Sequence, residues 1–358
     1  RDLELAARPA LPAPGPVTSP APVVAANGAT VAWRLASSFP KSLDKVYGSA
    51  ELLSRLVAER TGGRFRIQVY PAGEIASSFA VVDAVQAGTV ELGHTLPAYF
   101  VGKDPAWLLG SGSLFGPNAR ADDRWLTSEA GQAEWGSFAS SQGLLTWPLG
   151  AIWGRAEVPG KAGQPNLVLD LAQAWWCRRP ITGLDSLKGL RVRLSATDAA
   201  VWQRLGVVAV TVNGGDVYQA LQSGSLDCTS WYSPYDDMRL GFHKVAAYLH
   251  HWAPDTARAS TQTMLLANPR AVASLPPAYR AVLAAATAEA QTWMQQQYET
   301  QNLAAIKQVV AGGTRLQRFP PDVANAVQAA AQQQAQDYAS RSTDFSRLYE
   351  AWRRAQAR

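Results

Sequence analysis

From residue 31 the chain alternates apolar and polar positions, then shifts to a helical period. Val31-Ala32-Trp33-Arg34-Leu35-Ala36 reads as a strand and Ser37-Ser38-Phe39-Pro40 as the loop that follows. Ala50, Leu52, Leu53, Leu56 and Val57 share one apolar stripe, which predicts a helix over 44–59 stopped by Gly62-Gly63. Arg66-Ile67-Gln68-Val69-Tyr70 alternates as a half-buried strand; a helix over 79–87 stopped at Gly88 and a strand over 90–94 follow. Strand, helix, strand, helix, strand with short joints predicts an open α/β sheet, whose ligands sit at the carboxyl ends of the strands. The loops 37–41 and 94–100 are therefore candidate binding loops. A second unit repeats the pattern, with strands over 190–194, 207–212 and 226–231 and helices over 197–205 and 217–222. Two separate sheets imply two lobes. The end of the chain differs, with long Ala/Gln-rich helices over 277–311, 322–340 and 344–356, broken at Gly312-Gly313 and Pro320-Pro321.

Composition narrows the function. At 358 residues, 47% hydrophobic and 17% charged, the chain can bury the cores of two lobes, and it is neither a disordered tail nor a disulfide miniprotein. The net charge of +5 is spread, with 33 Lys and Arg scattered among 28 acids, so nucleic acid is not an expected partner. A mild positive balance suits attraction of a small anion into a cleft. No apolar run approaches the roughly 20 residues that span a bilayer. Six prolines between Pro9 and Pro22 mark an extended spacer, and the start at Arg1 rather than Met fits a chain whose targeting segment has been removed. Cys177 and Cys228 are the only cysteines; two buried thiols are the simpler expectation and a bridge formed in an oxidising compartment the alternative.

Motifs for catalysis are missing: the chain carries no nucleophile elbow, phosphate loop, HExxH or calcium loop. His250 and His251 are adjacent, so their rings face opposite sides of an extended segment and do not share a metal; no metal or cofactor is expected. Asp236-Asp237 reads as the capped start of a helix over 238–245 rather than as a catalytic pair. His94 ends a strand and is either ligand-facing or a satisfied structural histidine. Arg193 also ends a strand, and a guanidinium there can grip a carboxylate through two parallel hydrogen bonds. Trp231 and Tyr232 stand in the same place on the third strand of the second unit.

Together these segments resemble a known family over about residues 32–352. The matching stretches run in order: Thr61-Gly62-Gly63-Arg64-Phe65-Arg66-Ile67-Gln68-Val69-Tyr70-Pro71-Ala72-Gly73, then Asp83-Ala84-Val85-Gln86-Ala87-Gly88-Thr89-Val90-Glu91-Leu92-Gly93-His94. Leu187-Lys188-Gly189-Leu190-Arg191-Val192-Arg193, Val217-Tyr218-Gln219-Ala220-Leu221-Gln222-Ser223-Gly224 and Trp231-Tyr232-Ser233-Pro234-Tyr235-Asp236-Asp237 complete the set. The chain resembles the periplasmic solute-binding proteins of TRAP transporters, DctP-type, and in particular the branch that binds 2-oxo acids and other monocarboxylates.

The resemblance implies an α/β fold of two periplasmic-binding-protein-like lobes with a hinge and long C-terminal helices. The expected divisions are a Pro-rich spacer at 1–30, a first lobe at 31–150, an insertion or hinge-proximal segment at 151–173, a second lobe at 174–275 and C-terminal helices at 276–358. It implies capture of a small organic carboxylate in the periplasm and delivery to TRAP membrane permease subunits, without catalysis; a sensor or scavenger of the same fold is the alternative. The spacer can act as a tether, and the C-terminal helices can support a homodimer. Arg193 is implied as the carboxylate anchor and Trp231 as a wall, with Tyr99, Phe100, Ser38, Phe39 and His94 on the opposite lobe. Ser195 and Ser230 stand where the 2-oxo-acid branch places an amide and a glutamate that hold a cation, so a cation-free site is expected. Trp153, Trp175 and Trp176 are further expected near the cleft, a partial account of thirteen tryptophans, and suit a larger or more apolar carboxylate.

Overall fold

The computed structural model describes residues 29–111, 125–152, 155–158, 167–212, 216–252 and 261–356. In chain order its regular elements begin with β1 (Val31–Ser37), α1 (Asp44–Arg60), β2 (Phe65–Tyr70), α2 (Val81–Gln86), β3 (Leu92–Thr95), α3 (Glu129–Ser141) and β4 (Leu145–Ile152). The chain continues through β5 (Arg155–Val158), β6 (Leu167–Cys177), β7 (Arg191–Arg193), α4 (Ala196–Trp202), β8 (Val208–Val210), α5 (Val217–Ser223), β9 (Cys228–Ser230), α6 (Pro234–Arg239) and β10 (Tyr248–Trp252). It closes with β11 (Thr261–Ala267), α7 (Pro269–Ser274), α8 (Pro277–Ala311), β12 (Arg315–Arg318), α9 (Pro321–Arg341) and α10 (Thr343–Gln356).

Two sheets form. The first has the order β2-β1-β3-β11-β4 and the second β12-β10-β6-β9-β7-β8, with β5 on β6. β1, β2 and β3 are parallel, whereas β11 runs antiparallel to both β3 and β4. In the second sheet β7 is parallel to β8 and β9, and β6 is antiparallel to β9 and β10. Each lobe thus has the parallel α/β unit read from the sequence, extended by antiparallel strands: β4 and the downstream β11 in the first sheet, β6 and β10 in the second.

Membership of β11 in the first sheet makes that lobe discontinuous, so the expected second lobe at 174–275 hands its last strand and α7 back to the first. The segment expected as an insertion, 151–173, holds β5 and most of β6, a paired antiparallel ladder in the second sheet. The helix expected over 238–245 starts earlier, at Pro234, because the Ser233 side chain caps it by accepting from the Asp236 amide. The expected spacer lies almost wholly outside the described residues.

Helix α8 ties the lobes together. Tyr279, Val282, Leu283, Ala286 and Ala290 pack with the first sheet, and one to two turns from its end Ile306 and Val309 pack in the second lobe. Its middle brings Met294 and Tyr298 into an apolar cluster with Phe39, Leu96 and Ile152, against which Tyr99, Tyr232 and Tyr235 lean. Met294 also explains Gly150 on β4: a Cβ there would lie 2.2 Å from the Met294 Sδ, so no larger residue lets strand and helix approach. At the C-terminus, Phe345, Leu348 and Trp352 of α10 are buried against the first lobe around Trp107 and Trp135. The apolar face of the terminal helix is therefore covered within its own chain.

The cysteines form a bridge between β6 and β9, Cys177–Cys228, at opposed positions of the antiparallel ladder. The expectation of two free thiols is corrected: cross-strand neighbours bring the two Cα atoms to 4.1 Å.

Candidate functional site

The site is built on strand ends. Parallel pairing of β7 with β9 sets Arg193 opposite Thr229, so the guanidinium reaches over the end of β9. Its Nη1 donates to the Ser230 carbonyl at 3.0 Å, and its Cζ lies 4.1 Å from the centroid of the Trp231 ring. Among the described residues no carboxylate pairs with it. Burial is the largest influence on Arg193 and lowers its pKa; Tyr232, Tyr99, Asp198 and Asp237 push the other way. The group stays charged at neutral pH, since an arginine is not deprotonated in a protein. With one carbonyl and one ring as its partners among the described residues, the guanidinium has further N–H donors not engaged by the protein.

Trp231 is fixed by its own neighbours. Its ring meets Tyr232 edge-on at 5.3 Å and Phe242 at 6.2 Å, and its Nε1 is buried without a hydrogen-bond partner. Behind it, α6 buries two carboxylates. Asp236 accepts from the Tyr298 hydroxyl at 2.9 Å and from Ser233 at 3.0 Å, and burial raises its pKa to about 6. Asp237 accepts from Trp176 Nε1 at 2.8 Å, and burial holds its pKa well above the usual carboxylate range against the pull of Trp176 and the neighbouring backbone amides. The pair braces the helix that follows the site strand.

The first lobe faces this wall with neutral groups. The Tyr99 hydroxyl hydrogen-bonds the Tyr232 hydroxyl across the lobes. Burial pushes both phenols above their ordinary pKa, so both keep their protons. Phe39 lies 6.4 Å from Tyr99 and 4.9 Å from His94. The fully buried His94 has its Nδ1 3.2 Å from Ser37 Oγ, and burial drives its pKa down to about 3, which makes it neutral. Ser38 Oγ donates to the Ser78 carbonyl at 2.7 Å and lies 2.6 Å from Thr95 Oγ1. A second interlobe contact lies at α1 and α6: Asp44 accepts from Arg239 and, at 3.1 Å, from the Tyr235 hydroxyl. These partners stand about 190 positions apart in sequence, and no local pattern announces them.

The structure thus brings Arg193, Ser230, Trp231 and Tyr99 together and adds Tyr232 to them. Phe39, His94 and Ser38 support the facing loop from below, with His94 and Ser38 spent on internal hydrogen bonds. Other expected residues have different roles. Phe100 is 2% exposed and packs on Trp107 at 5.7 Å, inside the first-lobe core. Trp175 is 1% exposed, tilted against Trp202 with ring centroids 4.1 Å apart and edge-on to Phe319, so it fills the second-lobe core. Trp176, on the opposite face of β6, is fully buried and held by Asp237. Ser195 caps α4, its Oγ accepting from the Asp198 amide at 3.2 Å and lying 2.7 Å from Asp198 Oδ2. Trp153 lies outside the described residues.

Comparison with known proteins decides what this site belongs to. The model of a family of bacterial extracellular solute-binding proteins, family 7 (DctP), matches residues 36–152 and 173–342. The chain is a TRAP-type solute-binding protein. This receptor is 34% identical over 326 residues to a monocarboxylate 2-oxoacid-binding periplasmic protein of Nostoc sp., covering 90% of this chain and 83% of that one. A TRAP transporter solute-binding protein from Bordetella bronchiseptica, solved with copurified calcium and picolinate in its active site, superposes with a TM-score of 0.80 at 33% identity, each chain 92% covered. A TRAP solute-binding protein from Pseudoalteromonas atlantica with bound sodium and pyruvate has the same fold, with a TM-score of 0.78 at 23% identity, covering 92% of this chain and 94% of that one. The family consists of periplasmic receptors, not enzymes, and the two-lobed α/β fold read from the sequence is theirs.

Proposed function

We propose that this receptor captures a small organic monocarboxylate between its lobes for delivery to TRAP membrane permease subunits, with Arg193 as the carboxylate anchor and Trp231 as the wall that positions it. The observation that carries this reading is the guanidinium of Arg193, partly buried, laid on an indole and without a carboxylate partner among the described residues. The second lobe supplies the charge, and Tyr99 closes over the ligand from the first. Aromatic walls add contact area without demanding hydrogen bonds, which favours a planar or ring-bearing carboxylate over a compact 2-oxo acid. The Bordetella relative's picolinate is of that kind.

Binding proceeds without a resident cation in this reading. Calcium takes six to eight oxygen ligands and prefers carboxylates. Ser195 and Ser230 are neutral and short, and the Ser195 hydroxyl is engaged with Asp198 and Thr197. The relatives with bound calcium or sodium make this the point to test. Titration of pyruvate and picolinate by calorimetry, with chelator and then with added calcium or sodium, is expected to favour picolinate and to give the same affinity in every buffer. An affinity that rises with either ion overturns the cation-free reading; loss of all binding to both acids overturns the monocarboxylate reading. A homodimer through the C-terminal helices would use their outer, Gln-rich faces, since the apolar face of α10 is covered, and sedimentation at micromolar concentration reads it out.

A further inference from the structure

A pocket lined by cationic residues lies at the other end of the second sheet. Arg193, Ser230 and Trp231 sit at the carboxyl ends of β7 and β9. The antiparallel β6 ends at the other edge, where β10 and β12 begin. There, three chain segments enclose a pocket of about 400 Å³: Arg178 and Arg179 after β6, residues 243–247 before β10, and Gly312, Gly313 and Thr314 before β12. That volume lies in the range of small-molecule sites, about 300–1,000 Å³.

Its lining is cationic. Arg178, Arg179, Lys244 and His243 contribute side chains, and the lining contains no acid. Among the described residues none of the three cations has an ion-pair partner, in contrast to neighbouring Arg191. Asp227, whose carboxylate feels Arg178, is already held by Arg191 through two bonds of 2.9 and 3.0 Å. The His243 ring lies 6.5 Å from Trp176, and its buried Nδ1 has no hydrogen-bond partner among the described residues, which leaves Nε2 as the nitrogen available to a ligand. Isolated surface lysines and arginines are solvated and point apart. Here two guanidinium forks, an ammonium and an imidazole share one concavity.

We propose that this pocket binds a small multivalent oxyanion of the phosphate class, independently of the carboxylate cleft. Two guanidinium groups offer paired N–H donors matched to tetrahedral oxyanions, the ammonium adds a point charge, and the imidazole supplies either a donor or an acceptor. A monocarboxylate would leave most of these donors unused. The carboxylate cleft lies at the other end of the same sheet, so one receptor can fill both sites at once.

The test is calorimetric titration of the full chain with inorganic phosphate at constant ionic strength. One saturable site per chain is expected. Arg178→Gln with Lys244→Gln is expected to weaken it about tenfold or more, as loss of charge-assisted hydrogen bonds does. Arg193→Gln is expected to leave it unchanged. The double variant should keep the wild-type melting temperature without phosphate; if it does not, the exposed Lys244→Gln alone, with a several-fold loss expected, decides. No saturable phosphate binding in the wild type overturns the proposal. So does binding that survives the double variant or disappears in Arg193→Gln.

Discussion

Two arginines two residues apart on one short strand have opposite fates. Arg191 and Arg193 flank the fully buried Val192, so both project from the same face of β7. At the outer end Arg191 donates its Nε and Nη2 to Asp227, a pair whose arginine side chain is 44% exposed. At the inner end Arg193 has a tryptophan face where a carboxylate would stand. One arginine is neutralised by its own chain, and the other has no carboxylate partner among the described residues. Strand position alone does not distinguish them; the residue opposite does. Asp227 immediately precedes β9 and reaches Arg191, while β9 ends beside Arg193 in Ser230 and Trp231.

The contrast breaks if Arg193 proves dispensable. Arg193→Ala removes the cation facing the ligand, and truncating a partner of a buried charged pair costs about 2–5 kcal/mol. Affinity for the carboxylate that titrates best should therefore fall roughly 30-fold to several thousand-fold in calorimetry, with the circular dichroism melt little changed. Trp231→Leu keeps an apolar wall but removes the ring under the guanidinium. Stacking and cation–π terms together amount to roughly 1–2 kcal/mol, so a loss of about five- to thirty-fold is expected in the same titration. Arg191→Ala sharpens the comparison from the other side. A solvent-screened pair at the surface adds little to stability, so ligand affinity should stay at the wild-type value and the melting temperature should change little.

Much of this was legible in the sequence, for local reasons. The parallel units are built from neighbours in the chain, and their periodicities place α1, α5 and α8 within a residue or two of their observed ends. Arg193 and Trp231 stand out because strand ends and motif order locate them. The antiparallel strands were not legible: β11 is buried along nearly its whole length, so it carries no alternation, and its partners lie more than 100 residues away. The tryptophans misled for a related reason. Trp175 and Trp176 sit one residue apart on a strand buried on both faces, so neither reaches the cleft, and the aromatic surplus is largely core. Ser195 looked like a ligand contact and is a helix cap, because a serine one residue ahead of a helix first satisfies the free amides of its own first turn.

The bridge between Cys177 and Cys228 reaches beyond the finished fold into biogenesis. It closes a loop with a sequence separation of 51 that contains β7, α4, β8 and α5, and therefore Arg193. In the chain-entropy account, closing a loop of that length removes roughly 4 kcal/mol of freedom from the unfolded chain. A polypeptide matured where thiols are oxidised keeps that segment tethered whenever it unfolds, whereas the same polypeptide held in a reducing compartment must order it unaided. The resistance of this part of the second lobe to unfolding is thus set by the redox state of the compartment in which the chain matures.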